Sequence, residues 1–243
     1  MKKISISAVI LLALLSGCSG KDAAEHYQDA LTYSQNNQYN AAVIELKSAI
    51  SQAPDNIDYR LLLARVYLKT GDMVSAEKEF ERALRNGADP ETVAVEVIQT
   101  SYLAENHQNV LSLFNDTEGL SPKTEHYLKF YRAMAEVELG ATANAIAIFD
   151  ELINSEYPDL AAYAEAALLL NARNITDALN AVQQVNKDSL IAKEALLLTA
   201  QLQLLDKQTD NAIANLQQYI AQVPRALRVR LILAQTYVQQ QQF

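Results

Sequence analysis

Five prolines impose a period that few folds can accommodate. Pro54 and Pro122 stand 68 residues apart and Pro122 and Pro224 stand 102 apart, which are two and three units of 34. Pro90 and Pro158 fall two residues beyond the intermediate points of the same grid. Small and bulky residues keep the period as well. The second copy carries Leu63, Ala64 and Tyr67, then Gly71, then Ala76, Phe80 and Ala83. The first has Ala30, Tyr33, Asn37, Ala42, Leu46 and Ala49; the fourth has Ala133, Gly140, Ala145 and Phe149; the sixth has Ala200, Ala212, Leu216 and Tyr219. The third and fifth are degenerate, keeping Val110 and Phe114, and Ala166, Ala178 and Val182.

Each recurring type has a physical reason. Alanine lets two helices approach closely, and a larger residue four positions on fills the space beside it. Glycine or asparagine in the turn tolerates the left-handed conformation that ends a helix. Proline is expected to stop the second helix of each unit at no cost in interior hydrogen bonds. Apolar residues recur at spacings of three and four, with no sustained alternation, so the chain reads as all-α. A period of 34 with these residues resembles the tetratricopeptide repeat (TPR), a helix–turn–helix unit. The resemblance implies an α-solenoid wound as a right-handed superhelix. Its units are expected at about 23–56, 57–90, 91–124, 125–158, 159–192 and 193–226, with a half unit at 227–243. The last helix, with Leu227, Leu231, Ile232, Leu233, Ala234 and Tyr237, is apolar on more than one face, so the array is expected to continue.

Composition narrows the function. Half of the residues are hydrophobic and 20% are charged, too apolar for a disordered chain and too weakly charged for a coiled coil. Twenty basic against 29 acidic residues give a net charge of −9, which argues against nucleic acid as a partner. A single cysteine excludes an intrachain disulfide and a cysteine-based zinc site.

That cysteine has a particular place. Lys2 and Lys3 precede an apolar stretch from Ile4 to Leu15, shorter than the roughly 20 residues of a membrane span and suited to a signal peptide. Leu15-Ser16-Gly17-Cys18 then resembles the bacterial lipobox, which implies cleavage after residue 17, acylation of Cys18 and a short tether over residues 18–22. More than one acyl chain makes such an anchor stable. Ser19 follows the cysteine where aspartate would favour inner-membrane retention, so the periplasmic face of the outer membrane is expected. Together with the run Leu84-Arg85-Asn86-Gly87-Ala88-Asp89-Pro90, these features resemble the TPR lipoproteins of the PEP-CTERM/exosortase system. That resemblance implies a periplasmic scaffold in exopolysaccharide export or protein sorting. Two other readings are a pilotin-like lipoprotein that assists secretin, pilus or β-barrel assembly and, more remotely, an enzyme.

Signs of chemistry are absent. His26, His107 and His126 have no histidine or cysteine at helical spacing, and no phosphate loop or Gly-x-Ser-x-Gly elbow occurs. Glu77, Glu79, Glu81, Glu136 and Glu138 read as solvated helix faces. The Asn115 and Asn174 sequons read as coincidence. No catalytic residue, metal, cofactor or small-molecule substrate is expected; the expected partner is a protein or peptide. In TPR arrays the first helix of each unit lines a concave groove. That template gives Tyr27 and Gln28, then Asp58, Arg65 and Lys69, then Tyr127, Phe130, Tyr131 and Met134, then Leu197, Leu198 and Gln201. Aromatic residues there suit a peptide. The alternative for Phe130 and Tyr131 is a place in the inter-repeat core or against the next turn of the superhelix. Arg225, Arg228 and Arg230 form a basic cluster, either a solvated junction or a contact for an acidic segment.

Overall fold

The computed structural model describes residues 20–240; the expected signal peptide and Cys18 lie outside them. Thirteen helices and no strands make up the described residues. They form six antiparallel hairpins: α1 (Ala23–Gln35) with α2 (Tyr39–Gln52), α3 (Ile57–Lys69) with α4 (Met73–Arg85), and α5 (Pro90–Leu103) with α6 (His107–Ser112). Then come α7 (Pro122–Glu138) with α8 (Thr142–Leu152), α9 (Pro158–Asn171) with α10 (Ile175–Val182), and α11 (Ala192–Leu205) with α12 (Thr209–Gln222). Helix α13 (Leu227–Gln239) follows. This is the expected α-solenoid.

The hairpin turn is the same each time. The second residue after the first helix is left-handed at Asn37, Gly71, Glu105, Gly140, Arg173 and Lys207, with φ between 57° and 80°. The next N–H reaches back five residues, as from Gln38 to the Tyr33 carbonyl at 2.8 Å, from Asp72 to Tyr67 at 2.9 Å and from Gln208 to Gln203 at 2.8 Å. This closure satisfies carbonyls that would otherwise be orphaned. Glycine or asparagine was expected at this position, yet Glu105, Arg173 and Lys207 occupy it in three copies. The paired backbone hydrogen bonds offset the roughly 1–2 kcal/mol that a left-handed side chain costs. The prolines also depart from expectation. Pro90, Pro122 and Pro158 open α5, α7 and α9 instead of closing the preceding helices. At the first helical position no N–H is needed and the fixed φ is already helical.

The repeated alanines are at the contacts. Ala30, Ala42, Ala64, Ala76, Ala133, Ala166, Ala178, Ala200 and Ala212 are completely buried, beside Leu46, Phe80 and Leu216. Two carboxylates expected in water are buried as well. Glu79 accepts from Arg60 at 2.8 Å and Arg82 at 2.5 Å, and Glu77 accepts from Asn106 at 3.0 Å and Asn109 at 2.9 Å. Both stitch neighbouring helices, and each has enough donors to compensate its burial.

The third unit is the irregular one. Helix α6 has six residues, because Leu113 is extended and Phe114 turns left-handed with φ 52°. Arg132 on α7 donates to the freed carbonyls of Leu113 and Phe114 at 2.8 and 2.5 Å. Burial lowers the pKa of that guanidinium.

The solenoid also touches itself across its interior. Gln99 on α5 donates to the Leu190 carbonyl at 3.0 Å and to Glu194 on α11 at 3.2 Å. Met73, at the start of α4, shares a core cluster with Ala200, Leu216, Tyr219, Val223 and Val229. At Gly71 an added Cβ would stand 3.2 Å from Pro224 Cδ.

Candidate functional site

The first helices face the interior, and they divide into an open strip and an enclosed chamber. On the strip, Tyr27 is half-buried and stacks on Tyr59 with ring centroids 4.8 Å apart. Burial, then Asp58, raises the Tyr27 pKa, so the phenol stays neutral. Gln28, Asp58, Arg65 and Lys69 are exposed. Arg65 forks onto Glu96 of α5, with Nε to Oε1 at 3.0 Å and Nη2 to Oε2 at 2.7 Å. Glu96 accordingly raises the Arg65 pKa. Lys69 makes no ion pair among the described residues. The strip thus offers both charges and an aromatic face on consecutive helices.

The aromatic cluster of the fourth unit is not part of that strip. Phe130 and Tyr131 are wholly buried and Tyr127 nearly so. Phe130 meets Tyr131 edge-on at 5.1 Å and Tyr163 at 4.9 Å. The Tyr131 hydroxyl donates to Glu194 Oε1 at 3.1 Å, and its ring lies 5.9 Å from that of Tyr102. As candidates for direct peptide contact these three residues are therefore corrected to core. The physical reason is curvature: it brings Glu194 of α11 onto Gln99 of α5 and Tyr131 of α7, while Tyr163 of α9 meets Phe130.

What remains there is a chamber of about 250 Å³. Met134, Leu197, Leu198 and Gln201 line it, along with Phe149, Tyr102, Tyr163, Tyr219, Glu138, Glu194 and Arg228. Val137, Thr142, Asn171 and Arg228 are exposed at its rim. Glu194 is 3% exposed; its Oε1 accepts from Tyr131 and Gln99, whereas Oε2 is buried with no partner. Burial raises the pKa of this carboxyl, so the neutral acid is favoured over a wider pH range than for a free glutamate. Burial likewise pushes Tyr102, Tyr163 and Tyr219 upward, with Glu138 and Glu194 adding to the shift.

The basic cluster proves to be a set of internal ties. Arg228 pairs with Glu138 across the rim, Arg225 lies 3.4 Å from Asp72, and Arg230 donates to the Pro224 carbonyl at 3.0 and 2.7 Å. Arg60 does the same to Pro54 at 2.8 Å, six residues back in each case. His26 contacts Glu45 at 2.5 Å and His126 contacts the Pro122 carbonyl at 2.6 Å. Among the described residues no group of three His, Cys, Asp or Glu could hold a metal ion.

Sequence reasoning missed Glu194 and Tyr102 of the chamber wall and Gln99, which donates to Glu194. Glu194 occupies the second position of its unit, the same position that named Asp58. Gln99 and Tyr102 stand at the ninth and twelfth positions of the degenerate third unit. Applying the groove template to every copy, degenerate ones included, would have found all three.

Comparison with known proteins agrees with the fold. Models of the tetratricopeptide repeat match residues 33–94, 127–159 and 163–224. No curated protein sequence matches the chain. Among solved structures, a tetratricopeptide repeat protein from Parabacteroides merdae is similar at a TM-score of 0.63 and 16% identity, over 88% of this chain and 84% of that one. PilW, a widely conserved type IV pilus biogenesis factor, is similar at a TM-score of 0.50 and 17% identity, over 87% of this chain and 98% of that one. Over the matched residues the helical hairpins are tetratricopeptide repeats.

Proposed function

We propose that the protein is a lipid-anchored scaffold that binds protein partners of a bacterial export or sorting system at the periplasmic face of the envelope. The observation that carries the binding role is the open strip of Tyr27, Asp58, Arg65, Glu96 and Lys69, displayed on three consecutive first helices. Tetratricopeptide proteins are typically non-catalytic scaffolds, and the strip has the mixed charge and rigid aromatic face that suit an extended peptide. The anchoring role rests on Lys2, Lys3 and the Leu15–Cys18 motif. Among the described residues no helix is long and apolar enough to cross a membrane. The exosortase association rests on the run from Leu84 to Pro90 and on the lipobox.

A photo-crosslinker at Lys69 tests the partner in cells: export, sorting or polymer-synthesis components are expected among the captured proteins. Capture of pilus or secretin components instead would favour assembly assistance, the reading that likeness in fold to PilW supports. Cys18→Ser should move the protein from the membrane fraction to the soluble fraction while its helical content stays unchanged. Equal membrane retention of that variant rejects the anchor.

A further inference from the structure

The chamber is built for a ligand, and its atoms say which kind. Glu194 Oε1 has its two donors, Tyr131 and Gln99, but Oε2 faces no hydrogen-bond partner. A buried carboxyl oxygen left unpaired is costly, so a site that retains one is short of a partner. Of the two acids lining the chamber, Glu138 pairs with Arg228 and Glu194 pairs with no cation. Four aromatic rings, Tyr102, Phe149, Tyr163 and Tyr219, share the same walls, and aromatic faces attract organic cations. The remaining lining is aliphatic or thioether apart from Thr142, Asn171 and Gln201.

We propose that this chamber binds an alkylammonium group, with the apolar stem against Met134 and Leu197 and the cationic head between the rings of Tyr102, Tyr163 and Tyr219 and the Glu194 carboxyl, whose buried Oε2 turns into the chamber on binding. A carboxylate ligand would meet two acids here. A neutral hydroxyl can donate to Oε2 but does not neutralise the carboxylate when it is ionised. The argument stands apart from the scaffold reading, since no residue of the open strip contributes to it. Free alkylamines and a lysine side chain on a bound peptide carry the same chemistry.

Titration calorimetry of the full chain at pH 7 with n-butylammonium chloride tests the site, with n-butanol and sodium butyrate as neutral and anionic counterparts. Saturable binding of butylammonium is expected, with butanol weaker and butyrate without effect. Glu194→Gln keeps the size of the side chain and an acceptor for Tyr131, and it should weaken butylammonium at least about tenfold while butanol changes little. Leu197→Phe fills the stem end of the chamber and should abolish binding in a chain of unchanged helical content. Comparable affinity for Nα-acetyl-lysine methylamide assigns the site to a peptide lysine, and rejection of it assigns the site to free amines. The proposal is overturned if butylammonium gives no saturable signal, if butanol or butyrate binds as well, or if both variants bind it like the parent.

Discussion

The first two hairpins and the last four use one repeat code and enclose different interiors. In α1 to α4 the interior-facing positions hold Gln28, Asp58, Arg65 and Lys69, which are exposed. In α5 to α12 the corresponding face holds Tyr102, Phe130, Tyr131, Tyr163 and Glu194, all buried. Apart from the shortened second helix of the third unit, the hairpins are alike, since their turns close by the same backbone bonds. What differs is whether another turn of the superhelix lies opposite. Where α11 crosses the inner face, a groove becomes a core with a chamber; on α1 and α3, where the segment after α12 reaches only the turn from Gly71 to Met73, the inner face remains a surface. A repeat therefore fixes its own packing but not the accessibility of its inner face.

The sharpest way to break the comparison is to truncate equivalent aromatic residues in the two regions. Phe130→Ala should cost about 3–5 kcal/mol, as for a fully buried phenylalanine. Tyr27→Ala, at a half-buried site, should cost clearly less. Urea denaturation of both variants decides it, and equal losses would mean that the two interiors are not distinct.

A smaller effect isolates the closure. Gly71 and Gly140 have nearly the same φ, 75° and 80°, but only at Gly71 does a Cβ approach another part of the chain. Either glycine→alanine change should cost about 1–2 kcal/mol from the left-handed backbone. Gly71→Ala should lose more, because Pro224 must also give way. The difference between the two thermal midpoints measures the contact across the superhelix, and identical midpoints would remove it.

Smaller again is a pH effect confined to the closed region. Burial holds the folded-state pKa of Glu194 above its unfolded value, so the folded protein binds the extra proton. The stability this contributes is complete below the unfolded carboxylate range and is lost as pH rises through the folded pKa. Glu194→Gln removes the dependence, so the variant should gain on the parent as pH rises from 4 towards neutrality. Denaturation curves across that range give the sign, and a gain on acidification instead would contradict it. The smallest effect belongs to the open strip. Arg65→Ala removes an exposed pair with Glu96 and should change stability by roughly 0.2–1 kcal/mol, while lowering the crosslinking yield at Lys69.

The sequence made some of this legible and hid the rest for identifiable reasons. The alanine positions and the turns could be read because each depends on neighbours within about one unit. Glu77 and Glu79 were misread as solvated, because the partners that bury them, Asn106, Asn109 and Arg60, lie 19 to 32 residues away, and the one local partner, Arg82 beside Glu79, is equally at home on a solvated face. Arg225 and Arg228 looked like part of a patch and are ties, because Asp72 and Glu138 come to them from distant units. Phe130 and Tyr131 fit the groove template and belong to the core, a choice that periodicity cannot make. By itself the sequence determined that the chain is a row of paired helices of near-constant length, since side-chain size at the helix crossings and left-handed turn residues act locally. Only the tertiary structure decided which inner faces meet water, because that depends on small rotations summed over several units, and no single residue carries that sum.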